Sequence, residues 1–275
     1  MIGKRIIVSV MTLSMTVLAS AAYDSSSAHA RVRTNNSSAV SQQGRNRSIK
    51  WGQPIFIATF RGTKLNTKYW SVYDDPRGKY SGWRRTVQSV RVEHGLLDLT
   101  GHYQKPYGYV GGGLAYNFNR TYGRWEVRFR ADRGAGYEPV VLLWPQGTWP
   151  TDGEIDMAEI YNSQRLGAGE FLHIGKNDNF IGHPIPRVVD FSKWHTLSVD
   201  WLPDHITFRL DGKSLWTVER KPGKTDYIPS TPFHLAMQID EGCAGHKCRP
   251  NKSTPKQTRM QVAWVKIYAA PSGAM

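Results

Sequence analysis

Three carboxylates in one short segment are the feature of this 275-residue chain whose spacing could do chemistry. Glu154, Asp156 and Glu159 are separated only by apolar residues. On a regular strand Glu154 and Asp156 share a face, whereas Glu159 points to the opposite one. A β-bulge near Met157 or Ala158 would place all three on one face. Because like charges on an apolar strand repel each other at a cost in free energy, we interpret the cluster as catalytic.

Carboxyl pairs about 5 to 5.5 Å apart are what retaining glycosidases use for hydrolysis. One carboxylate attacks the anomeric carbon, and the other protonates the leaving oxygen and then activates water. Neighbouring positions on one strand face give a separation of that order, so we predict Glu154 as the nucleophile and Glu159 as the acid/base. Asp156 would orient Glu154 and tune its charge. A solvated acidic strand and a metal site are the alternatives, although the segment is apolar and holds no His.

Strands must position these acids, because alternating hydrophobicity dominates the chain and we find no convincing amphipathic helix. Trp125, Val127 and Phe129 alternate with charged residues, and Asp211-Gly212 is the turn that a two-residue hairpin prefers. About a dozen short strands with frequent turns predict an all-β sandwich. The predicted strands lie at 86–92, 96–100, 109–116, 123–130, 140–144, 154–161, 170–174, 194–201, 206–210, 233–239 and 261–269, with a further strand resuming near 215.

Three parts are predicted along the chain. In residues 1–30, Lys4 and Arg5 precede an uncharged run and a small-residue cleavage site, which predicts a signal peptide. Residues 31–50 hold five basic residues and no acid, which predicts a disordered leader. Residues 51–275 form the predicted catalytic domain. We therefore expect a secreted or periplasmic protein with no stable membrane insertion.

The charge of the chain suggests an anionic partner, since 36 Lys+Arg against 22 Asp+Glu give a net +14. Hydrophobic residues make up 40% of the sequence, which excludes a disordered polycation. Residues 51–275 keep 29 basic and 21 acidic residues, a net +8, without a nucleic-acid-binding motif. We predict no nucleic-acid partner, and we expect the residual basic surface to attract an anionic wall or exopolysaccharide.

The segment around the three acids resembles the Glu-x-Asp-x-x-Glu signature of glycoside hydrolase family 16, in its β-bulge branch. Further segments resemble the family in the expected order, over nearly all of residues 55–269. They are 60–65 with Trp70, as the opening strand, then 122–126, 194–201, 211–212 and 260–268. The resemblance implies a jelly-roll β-sandwich with a glycan-binding cleft on its concave face, a retaining endo-acting mechanism and a β-linked polysaccharide as substrate.

The substrate that the resemblance favours is a β-1,3- or β-1,3-1,4-glucan. An acidic exopolysaccharide or a galactan is an alternative, because Leu142 stands where laminarinase-like members usually place a Trp. A transglycosylase would use the same acids, with a sugar in place of water as acceptor. A non-catalytic glycan-binding relative would be expected to lose a catalytic Glu, and this chain keeps Glu154 and Glu159. We expect the protein to be a monomer.

Five residues are candidates for contacts with the sugar. Trp149 and Trp144 lie close to the acids in sequence and could stack on pyranose rings, or else pack in the core. The resemblance places Tyr109 at the edge of the cleft, His173 on a strand lining the acceptor side, and Gln238 at a position directed at the cleft. His173 could hydrogen-bond a sugar or the acid/base, or be a structural half-buried histidine. On their strand patterns we predict core positions for Trp125, Trp201 and Trp264.

The two cysteines, Cys243 and Cys248, bracket four residues of a predicted loop. In an exported protein this spacing predicts one short disulfide. Some members of the family bind a structural calcium, but Ala58, Thr59 and Ala263 occupy positions where acids are frequent. Calcium is thus weakly supported, and we expect no cofactor.

Overall fold

The computed structural model describes residues 49–223, 228–243 and 248–274, in which nearly all of the chain is strand and loop. The first strands are β1 (Phe56–Ala58), β2 (Trp70–Val72), β3 (Val90–Glu93), β4 (Leu96–Gln104), β5 (Gly108–Val110), β6 (Gly112–Tyr116), β7 (Gly123–Ala131) and β8 (Tyr137–Pro145). They are followed by β9 (Glu154–Glu159), β10 (Leu166–Ile174), β11 (Asn179–Asp190), β12 (His195–Trp201), β13 (His205–Leu210), β14 (Lys213–Glu219), β15 (Phe233–Glu241) and β16 (Gln257–Tyr268). Two short 3-10 helices are Val87–Ser89 and Ser272–Ala274. The predicted signal peptide and nearly all of the predicted leader lie outside the described residues.

The strands form two antiparallel sheets. A seven-stranded sheet has the order β11-β10-β9-β8-β15-β6-β2. A nine-stranded sheet has the order β14-β13-β12-β7-β16-β4-β3, with β1 paired to β16 and β5 paired to β4. The predicted all-β jelly-roll sandwich is confirmed. In the described part of the chain, no helix has the length and apolar character needed to cross a membrane.

The core lies between the two sheets and follows the alternation seen in the sequence. On β7, Val127 and Phe129 are fully buried, while the alternating Arg128 and Arg130 are half-exposed. Leu143 and Ile155 of the seven-stranded sheet are buried on the facing side and belong to the same apolar cluster. Each such side chain contributes about 1.5–3 kcal/mol when it is removed from water. This burial fixes which face of each strand is left for function.

Two local predictions are confirmed. Asp211 (φ 49°) and Gly212 (φ 80°) connect β13 to β14 in a two-residue turn, and positive φ at both positions is what a type I′ turn requires. Cys243 and Cys248 form a disulfide beside the end of β15.

One predicted strand, 109–116, is divided between the two sheets. β5 pairs with β4 in the nine-stranded sheet, and β6 pairs with β15 in the seven-stranded sheet. The chain crosses at Gly111, where a Cβ atom would overlap the carbonyl oxygen of Ile239. Only glycine allows this close backbone approach. Tyr109 consequently belongs to the nine-stranded sheet.

The strand β11 was not predicted from the sequence. Pro184 and Pro186 interrupt its hydrogen-bonding capacity, and its apolar pattern is weak. β11 is tolerated because it is the edge strand, paired only with β10 on one side. Sequence periodicity does not reveal a strand of this kind.

Two segments near the amino-terminal end differ from prediction. The strand predicted at 86–92 begins with a 3-10 turn, and only its second half is the strand β3. The segment 60–65, which resembles an opening strand, is a loop between β1 and β2. Phe60 lies in that loop with a φ of 49° and still packs its ring on Trp70, so its apolar character reports burial and not strand structure.

Candidate active site

A β-bulge in β9 brings the three acids onto one face of the seven-stranded sheet. Val141 of β8 pairs with Ala158, and the next residue, Leu142, pairs with Asp156, so that Met157 is the additional residue. Met157 and Ala158 both face the core and are almost completely buried. The alternation of side chains between the two faces of the strand is therefore shifted by one position. Glu159 consequently lies on the face that carries Glu154 and Asp156. The bulge predicted near Met157 or Ala158 is confirmed.

Glu154 is held by an indole from the loop that precedes it. Trp149 Nε1 donates a 2.7 Å hydrogen bond to Glu154 Oε2. The Trp149 ring is nearly parallel to that of Trp144, at the end of β8, with centroids 6.1 Å apart and an interplanar angle of 10°. Both indoles are half-exposed. The structure therefore brings both predicted aromatic residues beside Glu154.

His173 lies opposite Glu154 on the neighbouring strand β10. Its Nε2 is 3.3 Å from Asp156 Oδ2, and its Nδ1 is 2.6 Å from Asp178 Oδ1 in the turn before β11. The structure thus pairs His173 with Asp156, and not with Glu159 as considered from the sequence. Burial alone lowers the pKa of His173, but hydrogen bonding and the charges of Asp156 and Glu154 raise it to about 10. The imidazole is therefore positively charged at neutral pH.

The acids have raised pKa values. Burial, followed by the charge of Asp156, raises the pKa of Glu159 to about 8. The same two causes raise the pKa of Glu154 well above its usual value, opposed by the charge of His173 and the Trp149 hydrogen bond. Because closely spaced carboxylates titrate together, one of them retains a proton near neutral pH. The Trp149 hydrogen bond opposes the rise in the pKa of Glu154, and on this ground we assign the shared proton to Glu159.

Glu159 lies where the neighbouring strand β10 carries a glycine. It pairs with Gly169 on β10, and its interaction with Tyr161 opposes the rise in the pKa of its carboxyl group. A Cβ atom on Gly169 would overlap both the Tyr161 hydroxyl and the Phe171 ring. The glycine therefore gives these two side chains the room in which they flank Glu159.

Tyr161 and Asp178 are site residues that the sequence interpretation missed. Tyr161 lies two positions after Glu159 in the same predicted strand, so strand parity could have identified it. Asp178 lies outside the predicted strands, so strand parity could not identify it. It reaches His173 only because the β10–β11 hairpin turns there, with Asp178 itself at a φ of 49°.

The two remaining candidates are placed differently. Val140 pairs with Glu159 on one side and with Gln238 on the other, so Gln238 lies on the same face two strands away. Its Nε2 donates a 2.9 Å hydrogen bond to Asp240. Tyr109 is on the other sheet, packed edge-on against Tyr103 with ring centroids 5.4 Å apart. The structure does not bring Tyr109 beside the acids.

Metal binding was tested on the residues present. Glu154, Asp156 and His173 each offer a ligand atom, and these atoms lie within 4.8 Å of one another. A cation there would have to compete with the positive charge that His173 already supplies to Asp156. Ala58 and Ala263 offer no side-chain oxygen for the calcium that some relatives bind. The donor set does not favour a metal, and we route no chemical step through one.

Two curated proteins are similar to this chain in sequence. The chain is 28% identical over 178 residues to keratan-sulfate endo-1,4-beta-galactosidase of Sphingobacterium multivorum, covering 60% of this chain and 42% of that protein. It is 25% identical over 254 residues to glucan endo-1,3-beta-glucosidase A1 of Niallia circulans, covering 78% of this chain and 37% of that protein. The chain thus spans less than half the length of these two relatives.

The fold matches solved structures as well. The catalytic domain of an endo-1,3-beta-glucanase (laminarinase) from Thermotoga petrophila superposes with a TM-score of 0.71 at 21% identity, covering 82% of this chain and 100% of that one. The family model for glycosyl hydrolases family 16 matches residues 78–266, which include every strand from β3 to β15 and most of β16. The chain therefore belongs to glycosyl hydrolases family 16.

Proposed function

We propose that the protein is a retaining endo-β-glycosidase that hydrolyses a β-linked glucan, with β-1,3 or mixed β-1,3-1,4 linkages. The observation that carries this proposal is the bulged strand β9. It presents two carboxyl groups of raised pKa on one face: Glu154, which accepts the Trp149 hydrogen bond, and Glu159, to which we assign the proton. A carboxylate beside a carboxylic acid is the pair that double displacement at a sugar needs.

Each acid has one task in this mechanism. Glu154 attacks the anomeric carbon while Glu159 gives its proton to the leaving oxygen, which breaks the glycosidic bond and forms a glycosyl-enzyme ester. Glu159, now ionised, removes a proton from water, which attacks the ester and releases Glu154. Asp156 and the positive His173 compensate the change in charge as Glu154 is esterified and freed. The configuration at the anomeric carbon is retained.

A neutral glucan fits the charge of this face better than an acidic polymer. The arginines next to it are occupied, because Arg85 pairs with Asp240 at 2.7 Å and Arg84 pairs with Glu241 at 2.7 Å. The positive charge of His173 is shared between the carboxylates of Asp156 and Asp178. A polyanion would be repelled by the carboxyl groups of this face when they are ionised. The relatives named for β-1,3-glucan support the same choice.

Three alternatives remain, each with its own support. A galactan or an acidic glycan is supported by two observations. One relative is named a keratan-sulfate endo-1,4-beta-galactosidase, and the apolar Leu142 pairs with Asp156 on the face that carries the acids. A transglycosylase would need the same acids and a binding site for an acceptor sugar. A non-catalytic glycan-binding protein has weaker support, because Glu154, Asp156 and Glu159 are all present.

The test is product analysis on β-1,3-glucan, mixed-linkage β-glucan, an acidic exopolysaccharide and a sulfated galactan. We expect internal cleavage of one of the two glucans, with NMR showing initial release of the β-anomer. Glu154→Gln should lower kcat by about 10³- to 10⁶-fold. Glu219→Gln, at an exposed position at the end of β14, is the matched control and should retain activity. Equal activity of wild type and Glu154→Gln would reject the assigned nucleophile, and cleavage of only the charged polymers would reject the glucan.

We also propose that residues 1–30 are an export signal, residues 31–50 a basic leader and residues 51–275 the catalytic domain, so that the protein is secreted or periplasmic. The charged start, the uncharged run and the Ala-x-Ala site support this division, and the Cys243–Cys248 disulfide suits an oxidising compartment. Sequencing the amino terminus of exported protein should show a start near residue 31. A mature chain that still carries Lys4 would contradict the proposal.

A further inference from the structure

The outer face of the nine-stranded sheet carries a row of basic side chains that the proposed reaction does not use. Because Val127 and Phe129 fill the core, Arg128 and Arg130 of the same strand β7 point outward. Residues two apart on one strand lie about 7 Å from each other. The two arginine side chains therefore leave the same outer face, on the opposite side of the sandwich from Glu154.

A second bulge extends this row onto β16. Val262 pairs with Phe129 and points inward, but the register then shifts, and Trp264 pairs with Arg128. The additional residue is Ala263. Without it Trp264 would share the inward parity of Val262, which is why the sequence predicts a core position for it. The prediction for Trp264 is wrong, because its indole is half-exposed on the outer face together with Lys266.

Three cations of this row are not neutralised. In the described part of the chain Arg128, Arg130 and Lys266 form no ion pair, whereas Arg124 and Arg259 on the same two strands pair with carboxylates. The side-chain hydrogen bonds of the two uncommitted arginines go to neutral oxygens. Arg128 donates to Thr196 Oγ1 at 3.3 Å, and Arg130 donates to Gln261 Oε1 at 2.9 Å.

Two indoles hold these cations in place without cancelling their charge. Arg130 lies over the ring of Trp194 at 5.0 Å from its centroid, and Lys266 lies over Trp264 at 4.5 Å. A cation–π contact orients a charged group but leaves its positive charge available to an anion. We name the set Arg128, Arg130, Lys266, Trp194 and Trp264 the arginine face.

We propose that the arginine face binds a carboxylate-bearing polysaccharide, separately from the glucan in the active site. Charge complementarity supports this occupant, because the domain keeps a net +8 and this face holds cations without acidic partners. The planar guanidinium fork matches a carboxylate. Glu126 stands in the same row, directly opposite Lys266 and two positions before Arg128, but it already accepts a 3.1 Å hydrogen bond from Tyr268 and lies 3.8 Å from Arg124. The site would hold the enzyme on an anionic matrix while the cleft remains open to neutral chains.

The experiment measures binding of the full chain to polygalacturonate by affinity electrophoresis, with neutral dextran, dextran sulfate and duplex DNA as comparison polymers. We expect Arg128→Ser combined with Arg130→Ser to raise the Kd for polygalacturonate about five- to tenfold, since each exposed pair is worth up to about 1 kcal/mol. The matched control is Lys79→Ser combined with Arg187→Ser, which removes the same charge from exposed positions elsewhere. It should change the Kd less than about twofold.

Several results would overturn the proposal. Equal weakening in the two double variants would show a response to net charge and not to this face. Tighter binding of duplex DNA or of dextran sulfate than of polygalacturonate would replace the proposed ligand, and no binding of any polyanion would remove the site. If the double variant does not fold, Lys266→Gln tests the same face with one substitution and should weaken binding about two- to threefold. Hydrolysis of soluble substrate should be unchanged in all of these variants, so failure here is distinct from failure of the proposed activity.

Discussion

Glu159 is half-buried and Glu170 is buried, and these two carboxyl groups have similarly raised pKa values on neighbouring strands of one sheet. Burial raises the pKa of each to about 8. Glu159 ends β9 and points away from the sandwich, whereas Glu170, one residue beyond the partner of Glu159 on β10, points between the sheets. Their chemistry differs because their surroundings differ, although their affinity for a proton does not.

The surroundings of Glu170 are closed. Its side chain is 1% exposed, and it faces His183 of β11, whose Nδ1 is 3.7 Å from Oε2, and Trp216 of β14 in the other sheet. The indole of Trp216 stacks between His183 and Phe208, at centroid distances of 5.4 and 4.8 Å. A substrate cannot reach Glu170. A raised pKa therefore indicates burial. A carboxyl group with a raised pKa can act in catalysis only where substrate can reach it and a second carboxylate lies beside it.

The same substitution at Glu159 and at Glu170 tests this difference most directly. Glu159→Gln should lower kcat on polysaccharide by about 10²- to 10⁴-fold, because the leaving oxygen loses its proton donor. Glu170→Gln should leave kcat within about twofold, since Glu170 touches no reacting atom. An aryl glycoside whose leaving group is very acidic needs less protonation. On such a substrate, the rate at which the Glu159→Gln variant forms the glycosyl-enzyme ester should therefore recover. Equal loss of activity at both positions would contradict the assignment.

The pH profile belongs to the same test. Glu159 must be protonated to act as the acid, so activity should fall as the pH rises through about 8. Because Glu170 has a similar pKa, the pH profile of Glu170→Gln shows which of the two groups causes the fall in activity at alkaline pH. If the alkaline limb moves in Glu170→Gln, the limb reports Glu170 and not the proposed acid.

A substitution between the two acids should have an intermediate effect. Gly169 pairs with Glu159 and immediately precedes Glu170, and a Cβ atom there would overlap Tyr161 and Phe171. Gly169→Ala should lower kcat about ten- to hundredfold by displacing Glu159, with a smaller change in KM. Gly273→Ala, where a Cβ meets no atom within 4 Å, is the matched control. Unchanged kcat in Gly169→Ala would mean that Tyr161 does not position Glu159.

The smallest effect is expected in stability. The native pKa of Glu170 lies above its unfolded value, so stability from its protonated form is complete below about pH 4.5 and is lost as the pH rises towards 8. Glu170→Gln removes this loss and should raise the free energy of unfolding at pH 8 by about 1–3 kcal/mol. Urea unfolding at pH 4 and pH 8 measures it, with exposed Glu219→Gln as control. An equal change at both pH values would show that titration of Glu170 is not the cause.

Strand patterns in the sequence predicted much of the fold and the centre of the site. Alternation on β7 and the Asp211-Gly212 turn depend on neighbouring residues alone, and both are confirmed. The β9 bulge could be predicted because three acids of odd and even spacing need a shared face. The bulge at Ala263 had no such marker, so Trp264 was placed in the core. A bulge is visible in sequence only when the residues after it reveal the change of parity.

Long-range contacts could not be predicted in the same way. Asp178 reaches His173 through a hairpin whose second strand, β11, has no clear periodicity. The pairing of His173 with Asp156 depends on the register between β10 and β9, which is set by packing of both strands against the core. The family resemblance placed Tyr109 at the edge of the cleft, and nothing local in the sequence indicates that the chain changes sheets at Gly111.

The sequence by itself determined most of the strands, the identity of the acids and the excess of positive charge, because these depend on residue type and on the period of a strand. Only the tertiary structure decided which carboxyl groups face an open side, since Glu159 and Glu170 differ in the direction that their strands give them. It also decided where positive charge is left over. Arg124 and Arg128 are alike in sequence, but only Arg124 folds against a carboxylate, that of Asp200. Ion pairs join residues far apart in the chain, and packing of the two sheets selects them.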